Sequence, residues 1–109
     1  MTEDNPLIKI AMQVILYAGD ARNSCNEAVE LARRYEFDKA EQKLDEAKEF
    51  ITKAHRYQTE VIQKEMSGTD YGYSLLFIHA QDTLMTINTE VRMTSELIEV
   101  YKVLKKLGG

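Results

Sequence analysis

Two side chains capable of chemistry, His79 and Asp82, lie in the otherwise largely apolar stretch Ser74–Met85. A neutral imidazole nitrogen can attack a phosphoryl group at physiological pH, because histidine is near its titration midpoint there. Residues three apart lie on one face of a helix, so the imidazole and the carboxylate would be neighbours. Burying either group costs free energy unless it is paired. The residues alone leave two interpretations open, a nucleophilic histidine or a structural one hydrogen-bonded within its helix.

Other reactive residues are few. His55 is the only other histidine and Cys25 the only cysteine, so an intrachain disulfide and a cysteine-cluster metal site are both excluded. Ser74 and Ser95 lack the context of an activated serine nucleophile, and no glycine-rich phosphate loop occurs. We expect His55 to be a hydrogen-bonded histidine between helices and Cys25 to be inert core.

Composition is that of an ordinary globular protein. The 109 residues are 44% hydrophobic and 29% charged, with a formal net charge of -4, and we expect a single domain over 1–109. No basic run stands out, which argues against a nucleic-acid partner. The most apolar stretch, Leu7–Ala18, is interrupted by Lys9 and Gln13, so it is too short and too polar to insert into a membrane. The acidic N-terminus is unlike a signal peptide, and a cytoplasmic protein is expected.

Several residues have the types that start or end helices. Asn5 before Pro6 is typical of a helix start, because the asparagine side chain caps and proline lacks an N–H that the first turn would leave unpaired. Asp38 followed three residues later by Glu41 resembles a capping pair. Gly68 is placed to end a helix.

Apolar residues recur every three or four positions in three long stretches, which predicts helices at about 6–34, 38–66 and 73–107. Long helices joined by short turns predict an all-α, up-down-up antiparallel three-helix bundle. The first predicted core stripe is Leu7, Ala11, Val14, Ala18, Ala21, Cys25, Ala28, Ala32 and Tyr35. The second is Phe37, Ala40, Leu44, Ala47, Ile51, Ala54 and Val61, with Gln58 as a polar interruption. The third is Phe77, Ala80, Leu84, Ile87, Val91, Thr94, Ile98 and Tyr101.

The third helix carries more apolar residues than one core stripe needs. Those outside its stripe are Leu75, Leu76, Ile78, Met85 and Met93. Surplus apolar surface of this kind usually meets another subunit, so self-association is expected.

The tract from Ser74 through His79-Ala80-Gln81-Asp82 to Thr86 resembles the lactose/cellobiose-type IIA proteins of the bacterial phosphoenolpyruvate-dependent sugar phosphotransferase system. The segment Tyr17-Ala18-Gly19-Asp20-Ala21-Arg22 also resembles the family, as does Ala54-His55 with Gln58-Thr59. The resemblance extends from about Leu7 to Leu107, in the same order of three helices. It favours the nucleophilic interpretation of His79 over the structural one.

The resemblance implies a trimer of three-helix bundles with the third helices around the threefold axis. It implies that His79 takes a phosphoryl group on Nε2 from the phosphocarrier HPr and passes it to a cysteine of the IIB component, for uptake of a lactose- or cellobiose-type disaccharide. It also implies that Asp82 points to the axis, where three carboxylates hold a divalent cation, usually Mg²⁺. Oxygen ligands suit such a hard cation.

One position departs from the family. Many members have a second histidine four residues after the active one, where this chain has Thr83. Gln81 is left as a possible donor to the phosphate. Asp20 and Arg22 are expected on a solvated helix face.

The alternative function is a helical oligomerisation or adaptor module, in which His79 and Asp82 only set the register of a subunit interface. Exposure of the His79 ring discriminates between the two functions.

Overall fold

The computed structural model describes residues 5–108, and three helices are the only regular elements within that range. Helix α1 is Pro6–Arg33, α2 is Phe37–Met66 and α3 is Leu75–Lys106. Each end lies within two residues of the predicted one. The bundle measures 60 × 23 × 18 Å, so the predicted all-α three-helix architecture is confirmed. None of the helices in this range is long and apolar enough to cross a membrane.

The helix starts show which local predictions hold. Oδ1 of Asn5 accepts a hydrogen bond from the Leu7 N–H at 2.9 Å, as the predicted cap requires. Oγ of Ser74 caps α3 by accepting from the Phe77 N–H at 3.2 Å. The predicted capping pair of α2 is wrong, because α2 begins at Phe37 and its cap residue makes no side-chain hydrogen bond. Asp38 lies inside the first turn, where its charge suits the helix dipole.

The ends of α1 and α2 use the same hydrogen-bond pattern. After α2, the N–H of Gly68 donates to the carbonyl of Glu65, and the N–H of Thr69 donates to the carbonyl of Lys64. Gly68 has φ 106°. After α1, the N–H of Tyr35 donates to the carbonyl of Ala32, and the N–H of Glu36 donates to the carbonyl of Leu31. Tyr35 has φ 63°. Both are Schellman ends, which normally place glycine at the left-handed position. After α1 this position is Tyr35, so the end of α1 carries no glycine signal in the sequence.

We expect Tyr35→Gly to be more stable than Tyr35→Ala by roughly 0.5–1 kcal/mol, because both lose the ring but only alanine is strained at positive φ. Gly68→Ala is the matched control and should lose a similar amount at the other end of the bundle. Urea unfolding of the three variants measures these differences. Equal stability of the two Tyr35 variants would show that this turn is not strained.

Pairs of residues in contact give the direction and height of each helix. Arg22 in α1 contacts Glu90 in α3, and Arg33 contacts Tyr101, each across 68 positions. Because both contacts join residues whose numbers differ by 68, α1 and α3 run parallel, and a residue of α1 lies level with the α3 residue 68 positions later. Lys43 in α2 lies 3.0 Å from a carboxylate oxygen of Glu27 in α1, as expected for antiparallel helices joined by a short turn.

The core is rich in alanine, and small side chains let the three helices approach closely. Every residue of the predicted stripes is buried except at their ends and at the polar interruption: Tyr35, Phe37, Gln58 and Tyr101 are half-buried. The surplus apolar residues of α3 are exposed, Met85 at 65% and Met93 at 56%. The single chain therefore has the unpaired apolar face that self-association needs, and assembly as a trimer stays a prediction.

Candidate functional site

His79 lies in the second turn of α3, close to the Ser74 cap that fixes the start of the helix. Its side chain is exposed, and within residues 5–108 its ring makes no hydrogen bond. The interpretation of His79 as a structural histidine bonded to its helix neighbours therefore has no support in this chain. An unbonded, accessible imidazole is what nucleophilic attack on an incoming phosphoryl group requires.

Asp82 and Thr83 follow His79 in the next turn. Asp82 is exposed and forms no ion pair with any described residue. Thr83 Oγ1 donates its hydrogen to the backbone carbonyl of His79 at 2.8 Å. Because a hydroxyl has only one hydrogen to donate, Thr83 in this rotamer has none for a phosphate on the ring. The Thr83 hydroxyl is therefore engaged within α3 in this structure.

Gln81 is half-buried. At about 100° per residue, His79 lies roughly 60° to one side of Asp82 around the α3 axis, and Gln81 lies roughly 100° to the other side. Gln81 therefore cannot share a face with His79 of its own chain. The structure separates the two residues that the sequence analysis assigned to phosphate binding.

Exposed apolar side chains lie next to His79 in α3. Leu75 and Leu76 are one helical turn before it, and Ile78 is the preceding residue. Met12 on α1 is also exposed, and it lines a separate depression with Leu16 and Tyr57. An exposed apolar border of this kind suits transient docking of a protein that covers the histidine.

Arg22 and Cys25 show how α1 is held against α3. Arg22 donates two hydrogen bonds to Glu90, at 3.0 Å from Nε and 2.6 Å from the second guanidinium nitrogen, and these bonds raise the pKa of Arg22. Arg22 is exposed, as expected for a solvated helix face, and its ion pair with Glu90 was not predicted. Cys25 is buried as predicted, and burial raises the pKa of its thiol, which keeps it protonated and unreactive.

The remaining predicted residues lie away from His79. Asp20 is exposed without an ion pair among the described residues, as expected for a solvated position. His55 is exposed on α2 without a hydrogen bond to any described residue, so the prediction of a histidine bonded between helices is wrong. Its position falls one residue beyond Ala54 of the core stripe, which turns it outward.

No group of three side chains able to hold a metal ion occurs within residues 5–108 of one chain. Asp82 supplies a single carboxylate, and a divalent cation needs several oxygen ligands. A cation at Asp82 would therefore need carboxylates from other copies of the chain.

The family model for the lactose/cellobiose-specific IIA subunit of the PTS matches residues 9–102. The lactose-specific EIIA component of Staphylococcus epidermidis is 44% identical over 93 residues, which are 85% of this chain and 89% of that protein.

Two solved structures resemble the fold. The cellobiose-specific enzyme IIA of Bacillus anthracis superposes with a TM-score of 0.90 at 39% identity, covering 94% of both chains. The IIA(chitobiose) chain of the Escherichia coli phosphotransferase system, solved in complex with HPr, gives a TM-score of 0.79 at 31% identity, covering 91% of this chain and 96% of that one.

Proposed function

This chain belongs to the lactose/cellobiose-specific IIA family of the phosphotransferase system, and on that premise we propose that His79 accepts a phosphoryl group from phospho-HPr and transfers it to a cysteine of the cognate IIB component. The observation that carries the proposal is the exposed, unbonded imidazole within an apolar surface on α3. A relative of 31% identity has been solved in complex with HPr, which supports HPr as the donor. The protein would act in the cytoplasm, in uptake of a lactose- or cellobiose-type disaccharide.

The relay needs two displacements at phosphorus. The lone pair of His79 Nε2 attacks the phosphorus, and the bond to the donor breaks with its electron pair leaving on HPr. The IIB thiolate then attacks the same phosphorus, and the N–P bond breaks to return a neutral imidazole. The exposed side chain of Leu76, one turn before His79, would help to exclude water from the docked complex, which protects the phosphohistidine from hydrolysis.

We propose a homotrimer in which the exposed face of α3 surrounds a threefold axis. Leu75, Ile78, Met85 and Val100 are exposed on this face, and Asp82 lies among them. Burial of such a surface between subunits would be favourable at roughly 25 cal/mol for each Å² of apolar area. Three Asp82 carboxylates would then meet and could hold a divalent cation such as Mg²⁺.

The same arrangement gives Gln81 a role between subunits. In a threefold assembly, the flank of one α3 that carries His79 faces the opposite flank of the neighbouring α3, which carries Gln81. The carboxamide of one copy would then donate a hydrogen bond to the phosphoryl oxygens on His79 of the next. Gln81 can therefore support the phosphate although it lies on another face of its own helix.

The proposal is tested by incubating the full chain with phospho-HPr and locating the modification. We expect one phosphoryl group per chain, on the peptide that contains His79. The adduct should be lost in acid and retained in base, because phosphoramidates hydrolyse once the leaving nitrogen is protonated. Mass spectrometry of the intact and digested protein after both treatments measures this. An acid-stable adduct would indicate a phosphoester on a hydroxyl side chain and would contradict the assignment.

A further inference from the structure

A polar cleft between α1 and α2 shares no residue with the proposed phosphoryl site. Its volume is about 250 Å³, and it is lined by Tyr17, Lys53, Arg56, Tyr57 and Glu60. A second depression of about 270 Å³ shares Lys53 and Arg56 with it and continues along α2. These two cations therefore stand between adjoining cavities.

The ammonium group of Lys53 lies beside two aromatic rings. Tyr17 stacks on Phe50 and on Tyr57, with ring centroids 6.4 and 6.1 Å apart. The Nζ atom of Lys53 lies 5.6 Å from the centroid of Tyr17 and 5.7 Å from that of Phe50. Contact with two rings restricts the ammonium group without neutralising its charge. A positioned cation of this kind loses less side-chain entropy when it binds an anion.

The two cations of the cleft have no carboxylate partner. Within residues 5–108, no Asp or Glu oxygen lies within 4.0 Å of the charged nitrogens of Lys53 or Arg56. By contrast, Lys43 and Lys102 each contact two carboxylates. The charge of Lys53 and Arg56 is therefore available to a ligand.

Spacing on α2 indicates what the ligand would look like. Lys53 and Arg56 are three residues apart, hence neighbours on one helix face, and can contact the same phosphate. Glu60 is four residues after Arg56 and lines the same cleft without forming an ion pair with it. Its carboxylate would repel a bare phosphate but accept hydrogen bonds from hydroxyl groups, and the Tyr57 hydroxyl can also exchange hydrogen bonds with hydroxyls.

We propose that this cleft binds a small phosphorylated molecule bearing hydroxyl groups, the chemical class of a sugar phosphate. The phosphate would lie between Lys53 and Arg56, and the hydroxyl groups would face Glu60 and Tyr57. The site lies between α1 and α2, away from the exposed face of α3, so it stays accessible if the chain forms the proposed trimer. It would give the protein a ligand besides its phosphoryl donor and acceptor.

Titration of the full-length, isotope-labelled protein by NMR tests the proposal at low ionic strength. The probes are glucose 6-phosphate, inorganic phosphate and glucose. We expect saturable shifts at Arg56 and Tyr57, with affinity decreasing from glucose 6-phosphate to phosphate, and no saturation with glucose. Lys53→Met with Arg56→Met should lower affinity for glucose 6-phosphate at least about tenfold, since two charge-assisted hydrogen bonds are lost. Methionine retains helix propensity and most of the apolar stem, so the fold should persist.

Two further variants distinguish specific binding in the cleft from nonspecific attraction of anions to positive charge. Lys39→Met removes one charge far along α2, where Lys39 already contacts Glu36, and should leave affinity unchanged. Glu60→Gln should raise affinity for inorganic phosphate and reduce the preference for glucose 6-phosphate over it. The proposal is overturned if no probe saturates at millimolar concentration, if the double variant binds as the wild type does, or if Lys39→Met weakens binding equally.

Discussion

We expect a His79→Ala protein to accept no phosphoryl group from phospho-HPr, and a His55→Ala protein to accept it as fast as the wild type. Without the imidazole no covalent intermediate can form on this side chain, so the rate of labelling should fall by at least about a thousandfold. His55 is the matched control, because it is the only other histidine of the chain and is also exposed. Both changes remove an exposed side chain without a hydrogen bond, so neither should alter the helical content.

Labelling by phospho-HPr, followed over time and by mass, measures both variants together with their circular dichroism. Unchanged labelling of the His79→Ala protein would contradict the assignment of the nucleophile. Loss of labelling in both variants with intact helical content would show that His55 takes part in docking or transfer. The two exposed histidines are therefore distinguished by one experiment.

We expect Asp82→Leu to give a trimer at least as stable as the wild type, with a melting temperature that no longer responds to chelator. Two unit charges 4 Å apart repel by about 4 kcal/mol at an effective dielectric constant of 20, so three Asp82 carboxylates at one axis would oppose assembly. A divalent cation bound among them would reverse this effect and stabilise the trimer by mass action. Leucine removes the repulsion and the metal requirement together. It also matches the exposed apolar residues on either side, Ile78 and Met85.

Light scattering gives the mass of each protein, and thermal melts with and without EDTA give its stability. The wild type should melt lower with EDTA, and Asp20→Leu, which removes an exposed carboxylate on α1, should respond to EDTA as the wild type does. A monomer mass at micromolar concentration would remove both the trimer and the axial metal site. A wild type indifferent to EDTA, with Asp82→Leu clearly destabilised, would instead make Asp82 a hydrogen-bond partner within the protein.

Local sequence was sufficient to predict the helices and most of the core. A helix repeats every 3.6 residues, so apolar residues three and four apart identify its buried side without knowledge of its neighbours. Leu84, Ile87 and Ile98 were predicted in this way and are nearly inaccessible. His79 could also be identified from local sequence, because a titratable residue within an apolar stretch has no simple structural explanation. The cap formed by Asn5 and the end marked by Gly68 depend only on adjacent residues, and both were predicted.

Features that depend on the height and rotation of neighbouring helices could not be predicted. Arg22 pairs with Glu90 across 68 positions because α1 and α3 are parallel at one particular offset, which periodicity within each helix does not specify. His55 is exposed because no helix covers its flank of α2. The ring of Tyr35, at positive φ, lies against Phe37 and against Lys105, which comes from the far end of the chain. Periodicity reports which side of a helix is buried, whereas partners depend on how the helices are placed around the core.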